Sequence, residues 1–243
     1  MASPLEQFEI VDLSKPLFTI GKVPIAFTNS AAFMLVAVGV ASLFLVAAGS
    51  QRKLVPGRLQ GMAEMLYDMV AGMIRDNVGD AGKKYFPFMF TLFIFILFGN
   101  LLGMVPYSFT FTSHIAVTFS MAFAIFVVIT LIGIFKHGLH FLSLFFPHGA
   151  PLWTAPILIP IELVSYFSRP VSLSVRLFAN MTVGHVLLKV LAGFVIGLGF
   201  IGGWVPLIGL VGITALEFLV AGLQAYIFTI LCCIYLNDAL HLH

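Results

Sequence analysis

Residues 85–135 contain no Asp, Glu, Lys or Arg. So long a run without charge has no place in a soluble domain, where about a quarter of residues are charged. A break at residues 106–113, opened by Pro106, divides it into two stretches, 86–105 and 115–135. Each is long enough to cross a hydrocarbon layer of about 30 Å as a helix. Gly99 and Gly103 have the small-residue spacing that lets helices approach closely. Of the 243 residues, 60% are hydrophobic and 9% charged. A polytopic α-helical membrane protein follows, with residues 1–243 as a single transmembrane domain. A β-barrel would alternate apolar and polar positions over strands of about ten residues, whereas these apolar runs are continuous.

The remaining layout follows from the charges. Residues 31–49 are charge-free and read as the first crossing. The loop at 50–85 holds Arg52, Lys53, Arg58, Arg75, Lys83 and Lys84, half of the 12 Lys and Arg. The positive-inside rule makes that loop cytoplasmic, or matrix-facing in an organelle, and leaves residues 1–30 as an external segment. Met62, Met65, Leu66, Met69 and Met73 recur in the loop at helical spacing, as in an amphipathic helix lying on the membrane surface. Lys136 and His137 return the 86–135 hairpin to the inside. Residues 155–200 form one apolar run, which as a helix would be about 65 Å long. It is therefore either two crossings or one helix lying far from the bilayer normal. Gly197, Gly199, Gly202 and Gly203 mark a turn, and 205–236 is the final helix. The expected fold is all-α, with about five membrane-embedded helices and one surface helix. The N-terminus lacks the basic region and short apolar core of a cleaved signal peptide, so no targeting segment is expected.

Several charges fall inside these apolar runs. An arginine at bilayer depth costs about 3 kcal/mol or more, and it cannot shed its proton to escape that cost. Arg176 is such a residue. Glu162, Arg169 and Arg176 are spaced seven apart, which on a helix is within about 20° of two full turns. Ser165, Ser168, Ser172 and Asn180 extend the same stripe. An apolar helix with one polar edge must turn that edge towards a water-filled cavity or another subunit. Pro170 is placed to kink it. Arg169 reads either as an accessory charge or as a structural partner of Glu162. His185 lies nine residues after Arg176, on the opposite side of the helix. Glu217 and Gln224 share a face of the last helix. A histidine on one helix and a glutamate on its neighbour can relay protons. The alternative is an ion pair that only fixes helix register.

Other chemistries are missing from the sequence. His114, His137, His140 and His148 read as loop or interface histidines, and no Cys or carboxylate completes a metal site with them. The stretch Asn77–Lys84 lacks the leading Gly and closing Ser or Thr of a phosphate loop. Cys232 and Cys233 are adjacent in an apolar run and read as core thiols. No catalytic residue, metal, cofactor or nucleic-acid partner is expected. The lipid bilayer is the expected surroundings, and protons are the expected transported ion.

The run Arg176-Leu177-Phe178-Ala179-Asn180-Met181-Thr182-Val183-Gly184-His185 closely resembles the signature of the a subunits of F-type rotary ATP synthases. Glu217 and the stretch Leu223-Gln224-Ala225-Tyr226-Ile227-Phe228 extend the resemblance, as does Phe98-Gly99-Asn100-Leu101-Leu102-Gly103-Met104-Val105-Pro106. The resemblance covers essentially the whole chain. It implies a membrane stator packed against a rotating ring of c subunits and joined to b-type peripheral stalk subunits. Each c subunit carries a carboxylic acid near the bilayer midplane, and Arg176 matches the essential arginine facing it. Asn180, His185, Glu217 and Gln224 match the half-channel open to the outside. Glu162, Ser165, Ser168 and Ser172 match the one open to the inside. Arg169 and Asn100 are possible accessory residues. The family also implies that 155–200 is one long, strongly tilted helix, with the N-terminus outside and the C-terminus inside.

In some bacterial members the positions of His185 and Glu217 hold an acid and a histidine. The exchange seen here resembles the α-proteobacterial and mitochondrial branch. Gly103 and Tyr107 stand where some members carry acids, so the outer entrance is left unassigned. The expected location is a bacterial inner membrane rather than a mitochondrial one. Two rival readings remain. A secondary transporter would show inverted repeats and paired broken helices, and neither is found. An assembly subunit would use its buried charges for packing alone.

Overall fold

In the computed structural model of the chain, the described residues are 10–13, 18–20, 23–50, 53, 55–105, 108–138, 141 and 154–241. Arg52, Pro106, Tyr107, His140 and His148 lie outside them, as do most of residues 1–17.

A short antiparallel hairpin pairs β1 (Phe18–Ile20) with β2 (Val23–Ile25), in the register Phe18 opposite Ile25. Nothing in the sequence marks this hairpin. Its strands are three residues long, too short to show an alternation. The chain then enters α1 (Asn29–Ser50). The Thr28 hydroxyl accepts from the Ala31 amide at 3.3 Å and so caps one of the free N–H groups of the first turn.

The other helices are α2 (Arg58–Asn77), α3 (Phe86–Gly103), α4 (Ile115–His137), α5 (Ala155–Gly197), the single turn α6 (Gly199–Gly202) and α7 (Trp204–Leu240). Among the described residues five helices are long and apolar enough to cross a membrane. The all-α reading therefore holds for the apolar body of the chain. Residues 155–197 form one helix of 43 residues, about 65 Å by its rise per residue, which decides between the two readings left open above. Pro160 and Pro170 lie inside it without ending it. In α2 the apolar stripe divides: Val70, Met73 and Ile74 are buried, while Met62 and Met65 are exposed.

α7 runs through Asn237 and Asp238 to Leu240. The extra turn has identifiable support. Lys136 Nζ donates to the Leu240 carbonyl at 2.8 Å, and His137 Nε2 lies 3.1 Å from the same oxygen. Basic groups at the C-terminal end of a helix satisfy free carbonyls and match the negative end of its dipole.

The chain forms two compact units. One is drawn from Met1–Ala63, Ile94–His114 and Leu177–Ala225, the other from Glu64–Phe93, Ile115–Arg176 and Tyr226–His243. Each takes a part of α3, α5 and α7. The first unit buries an unusual set of polar residues: Asn100, Thr110, Thr112, Ser113, Glu217 and Gln224. The second has a more apolar core, including Phe93, Ile129, Leu173 and Phe228, with the free thiols of Cys232 and Cys233 fully buried in it.

Gly99 and Gly103 serve a different purpose from the helix pairing that their spacing suggested. A Cβ at Gly99 would meet the Phe111 ring at 2.5 Å, and one at Gly103 would meet Thr110 at 2.6 Å. The bare flank of α3 thus seats the two loop residues that follow it.

Candidate functional site

In the first unit, α5 brings His185 and α7 brings Glu217 to within 3.8 Å of each other, His185 Nδ1 to Glu217 Oε1. The pairing expected from sequence is therefore real in space. Glu217 is only 4% exposed, and neither carboxylate oxygen has a hydrogen-bond partner among the described residues. An ionised carboxylate held there without a partner is costly. Its charge is tied to the imidazole beside it.

Thr110, which no motif in the sequence marks, sits against that imidazole. Its hydroxyl donates to the Gly103 carbonyl at 3.0 Å and lies 3.0 Å from His185 Nε2. A threonine has one hydroxyl hydrogen. With that hydrogen on Gly103, His185 Nε2 must donate to the threonine oxygen. In the neutral ring Nδ1 then carries the lone pair, and Nδ1 is the nitrogen turned to Glu217. At 3.8 Å the two groups are not hydrogen-bonded, so a proton passes between them only on closer approach or through a bridging water. The loop is braced as well: Ser113 Oγ donates to the Thr110 carbonyl at 2.6 Å, and Thr182 Oγ1 on α5 donates to the Ser113 carbonyl at 3.2 Å. His114 in the same loop stacks on Phe109, and burial holds its imidazole below the ordinary range.

Gly184 is a second residue whose part sequence alone did not show. A Cβ at this position would fall onto Glu217 Oε1 and lie 2.8 Å from its Cδ. The carboxylate occupies the space that a side chain would take. Replacing a helical Gly by Ala ordinarily stabilises the helix by about 1 kcal/mol. A loss on this exchange therefore reports the collision. Gly184→Ala is expected to destabilise the protein by about 1–3 kcal/mol. Thermal unfolding of the detergent-solubilised chain measures it, and a gain in stability means that Glu217 needs no such seat. A glycine inside a helical pattern was the available signal.

Asn100 is fully buried on α3, and its Nδ2 donates to the Ala221 carbonyl of α7 at 3.2 Å. Ala221 lies between Glu217 and Gln224, so Asn100 fixes the stretch of α7 that carries both. Gln224 is 5% exposed, and Asn180 is half-buried on α5.

The second unit holds the other set. Ser165, Ser168, Ser172 and Arg176 are exposed along α5 and Glu162 is half-buried, while Pro170, Leu173 and Ser174 are buried. The polar edge thus lies on the broad exposed side of the helix, together with apolar residues such as Ile161, Val164 and Val175. The pairing of Arg169 with Glu162 is not found and needs correcting. Arg169 Nη1 instead donates to Asp238 Oδ2 of α7 at 2.9 Å. Two helical turns separate Arg169 from Glu162 by about 10 Å of rise, whereas Asp238 is brought alongside by packing. The guanidinium also lies over two rings, 5.4 Å from the Tyr166 centroid and 4.9 Å from that of Tyr235. Tyr166 Oη is in turn 2.6 Å from Thr130 Oγ1. Among the described residues no group of three His, Cys, Asp or Glu is placed to hold a metal.

The sequence model of the family described as ATP synthase A chain matches residues 31–237. The chain is 62% identical to the ATP synthase subunit a of Rhodospirillum rubrum over 245 residues, covering 100% of both chains. It is 60% identical to that of Paramagnetospirillum magneticum over 249 residues, again covering 100% of both. With the subunit a of Pelagibacter ubique the identity is 51% over 242 residues, covering 99% of this chain and 98% of the other.

Proposed function

The chain belongs to the ATP synthase A chain family, and on that premise we propose that it is the proton-translocating stator of the membrane sector. It is a membrane-embedded component of a multisubunit complex. Its partners are the c-subunit ring and b-type peripheral stalk subunits, and it carries no catalytic site of its own. Residues 1–243 act as one transmembrane domain of a bacterial inner membrane.

The observation that carries this reading is Arg176, exposed on the open polar edge of a long apolar helix. An arginine there cannot be neutralised by losing its proton. Its remaining use is to meet a charge brought to it. A ring carboxylate arriving beside it gives up its proton, because a nearby positive charge favours the ionised form. The same charge repels protons and stops a leak between the two half-channels. A driving force of 100 mV supplies about 2.3 kcal/mol per proton. That equals a change of about fifty-fold in proton affinity, a scale that one well-placed charge can supply.

Asn180, His185, Glu217 and Gln224 form the outer half-channel, with Asn100 as the accessory residue that positions α7. Glu162, Ser165, Ser168 and Ser172 form the inner one. Supporting this division, the outer set falls wholly in one compact unit, and the inner set with Arg169 and Arg176 falls wholly in the other. The helix passes from one unit to the other between Arg176 and Leu177. Within the outer set, a proton passes between Glu217 and His185 Nδ1.

Deleting this chain from the complex tests the proposal. Vesicles with the deletion should hydrolyse ATP yet build no proton gradient, and expression in trans should restore the gradient. A gradient built without the chain overturns the reading.

A further inference from the structure

Arg169 and Arg176 are two turns apart on one side of α5, yet they are treated differently. Arg176 is exposed, whereas Arg169 is hydrogen-bonded to Asp238 and lies over Tyr166 and Tyr235. The side chains of Arg169 and Asp238 are 25% and 32% exposed. Beside them is a cavity of about 10 Å³, lined among others by Arg169, Pro170, Tyr166, Tyr235 and Cys232. That is room for about one water, so Arg169 packs against its neighbours with no larger void, while the pair keeps some contact with the surroundings.

An arginine so near an open edge has one certain property, its permanent charge. We propose that Asp238 is a masking residue: it neutralises Arg169 and draws it against two tyrosines, so that Arg176 is the single unmasked cation this stretch of α5 offers to a passing carboxylate. This rests on the stator reading above. A second unmasked cation about 10 Å along the helix would hold each ring carboxylate in its ionised form after it should have reloaded. The ring would stall between two attractive positions. Asp238 is thereby a positioning residue that acts through Arg169.

The choice of variant separates charge from packing. Asp238→Asn keeps the shape and a hydrogen-bond acceptor for the guanidinium and removes only the negative charge. It is expected to slow ATP-driven proton pumping by about tenfold per assembled complex. Adding Arg169→Gln to the same chain restores neutrality and should return pumping to within about twofold of wild type. If the double variant stays as slow as Asp238→Asn, the carboxylate is needed in its own right, as a proton carrier would be, and masking is overturned. Wild-type pumping by Asp238→Asn also overturns it. Should Asp238→Asn fail to assemble, the neutral double variant decides alone, by pumping or not. Arg176→Ala, run in parallel, tests the underlying reading separately. Normal pumping by that variant removes the stator assignment whatever Asp238 does.

Discussion

Arg176→Ala is expected to abolish ATP-driven proton pumping and proton-driven ATP synthesis, while the complex assembles at its usual level. The side chain is exposed, so its removal opens no cavity, and exposed substitutions usually change stability by less than about 0.5 kcal/mol. What is lost is the positive charge that lets a ring carboxylate lose its proton in an apolar setting. Burying an uncompensated charge near the middle of a bilayer costs about 3 kcal/mol, which slows each step by more than about a hundredfold. Arg176→Lys sharpens the result. Lysine keeps the charge in water but can lose its proton when desolvated, and it lacks the planar fork. Pumping is therefore expected to be low in that variant too. Quenching traces from inverted vesicles, normalised to assembled complex, measure both. Intact pumping by Arg176→Ala would remove Arg176 from the pathway and bring the transporter reading forward.

Glu217→Gln is expected to have the next largest effect. The amide has the shape of the acid, so it fits the space above Gly184. It cannot take up or release a proton. His185 Nδ1 then faces a group with no acid proton to exchange, and the relay loses one of its two members. Losing a positioned acid–base group commonly costs about a hundredfold or more. Proton uptake by assembled complexes should fall on that scale, while ATP hydrolysis uncoupled from the membrane should be unchanged. An uptake rate equal to wild type would take Glu217 out of the pathway.

Much of this protein is legible along the chain because hydropathy and helical periodicity are local properties. The charge-free run at 85–135 and the seven-residue spacing of Glu162, Arg169 and Arg176 need no knowledge of the fold. The family resemblance added the single long helix, which length alone left open, and the structure has it. The meeting of His185 and Glu217 could be guessed, because a buried acid and a buried base need partners. Thr110 could not be guessed. Its contact with His185 spans 75 positions and depends on a loop whose course the sequence does not set. Asp238 follows the last apolar residues of the final helix, so nothing local in the sequence singles it out. Its partner Arg169 is 69 positions away, and local spacing offered that arginine only an accessory role or a pairing with Glu162. Both misses are contacts made by packing, where pattern has no reach.

The side of α5 nearest Arg176 carries Ser165, Ser168, Ser172 and Val175, all exposed, while the exposed ring of Phe167 lies half a turn away, on the opposite side. None of the four is aromatic, and none is long. Tight interfaces concentrate their energy in a few large anchors such as Trp and Tyr seated in pockets. Such an anchor would serve a permanent joint and would harm a sliding one, because every passing partner would have to be pulled free. If a ring turns against this edge, its energy profile has to be nearly flat between steps. Short, branched and hydroxylated side chains make that profile shallow, so on the stator reading this face would act as a bearing that offers a passing partner little to grip.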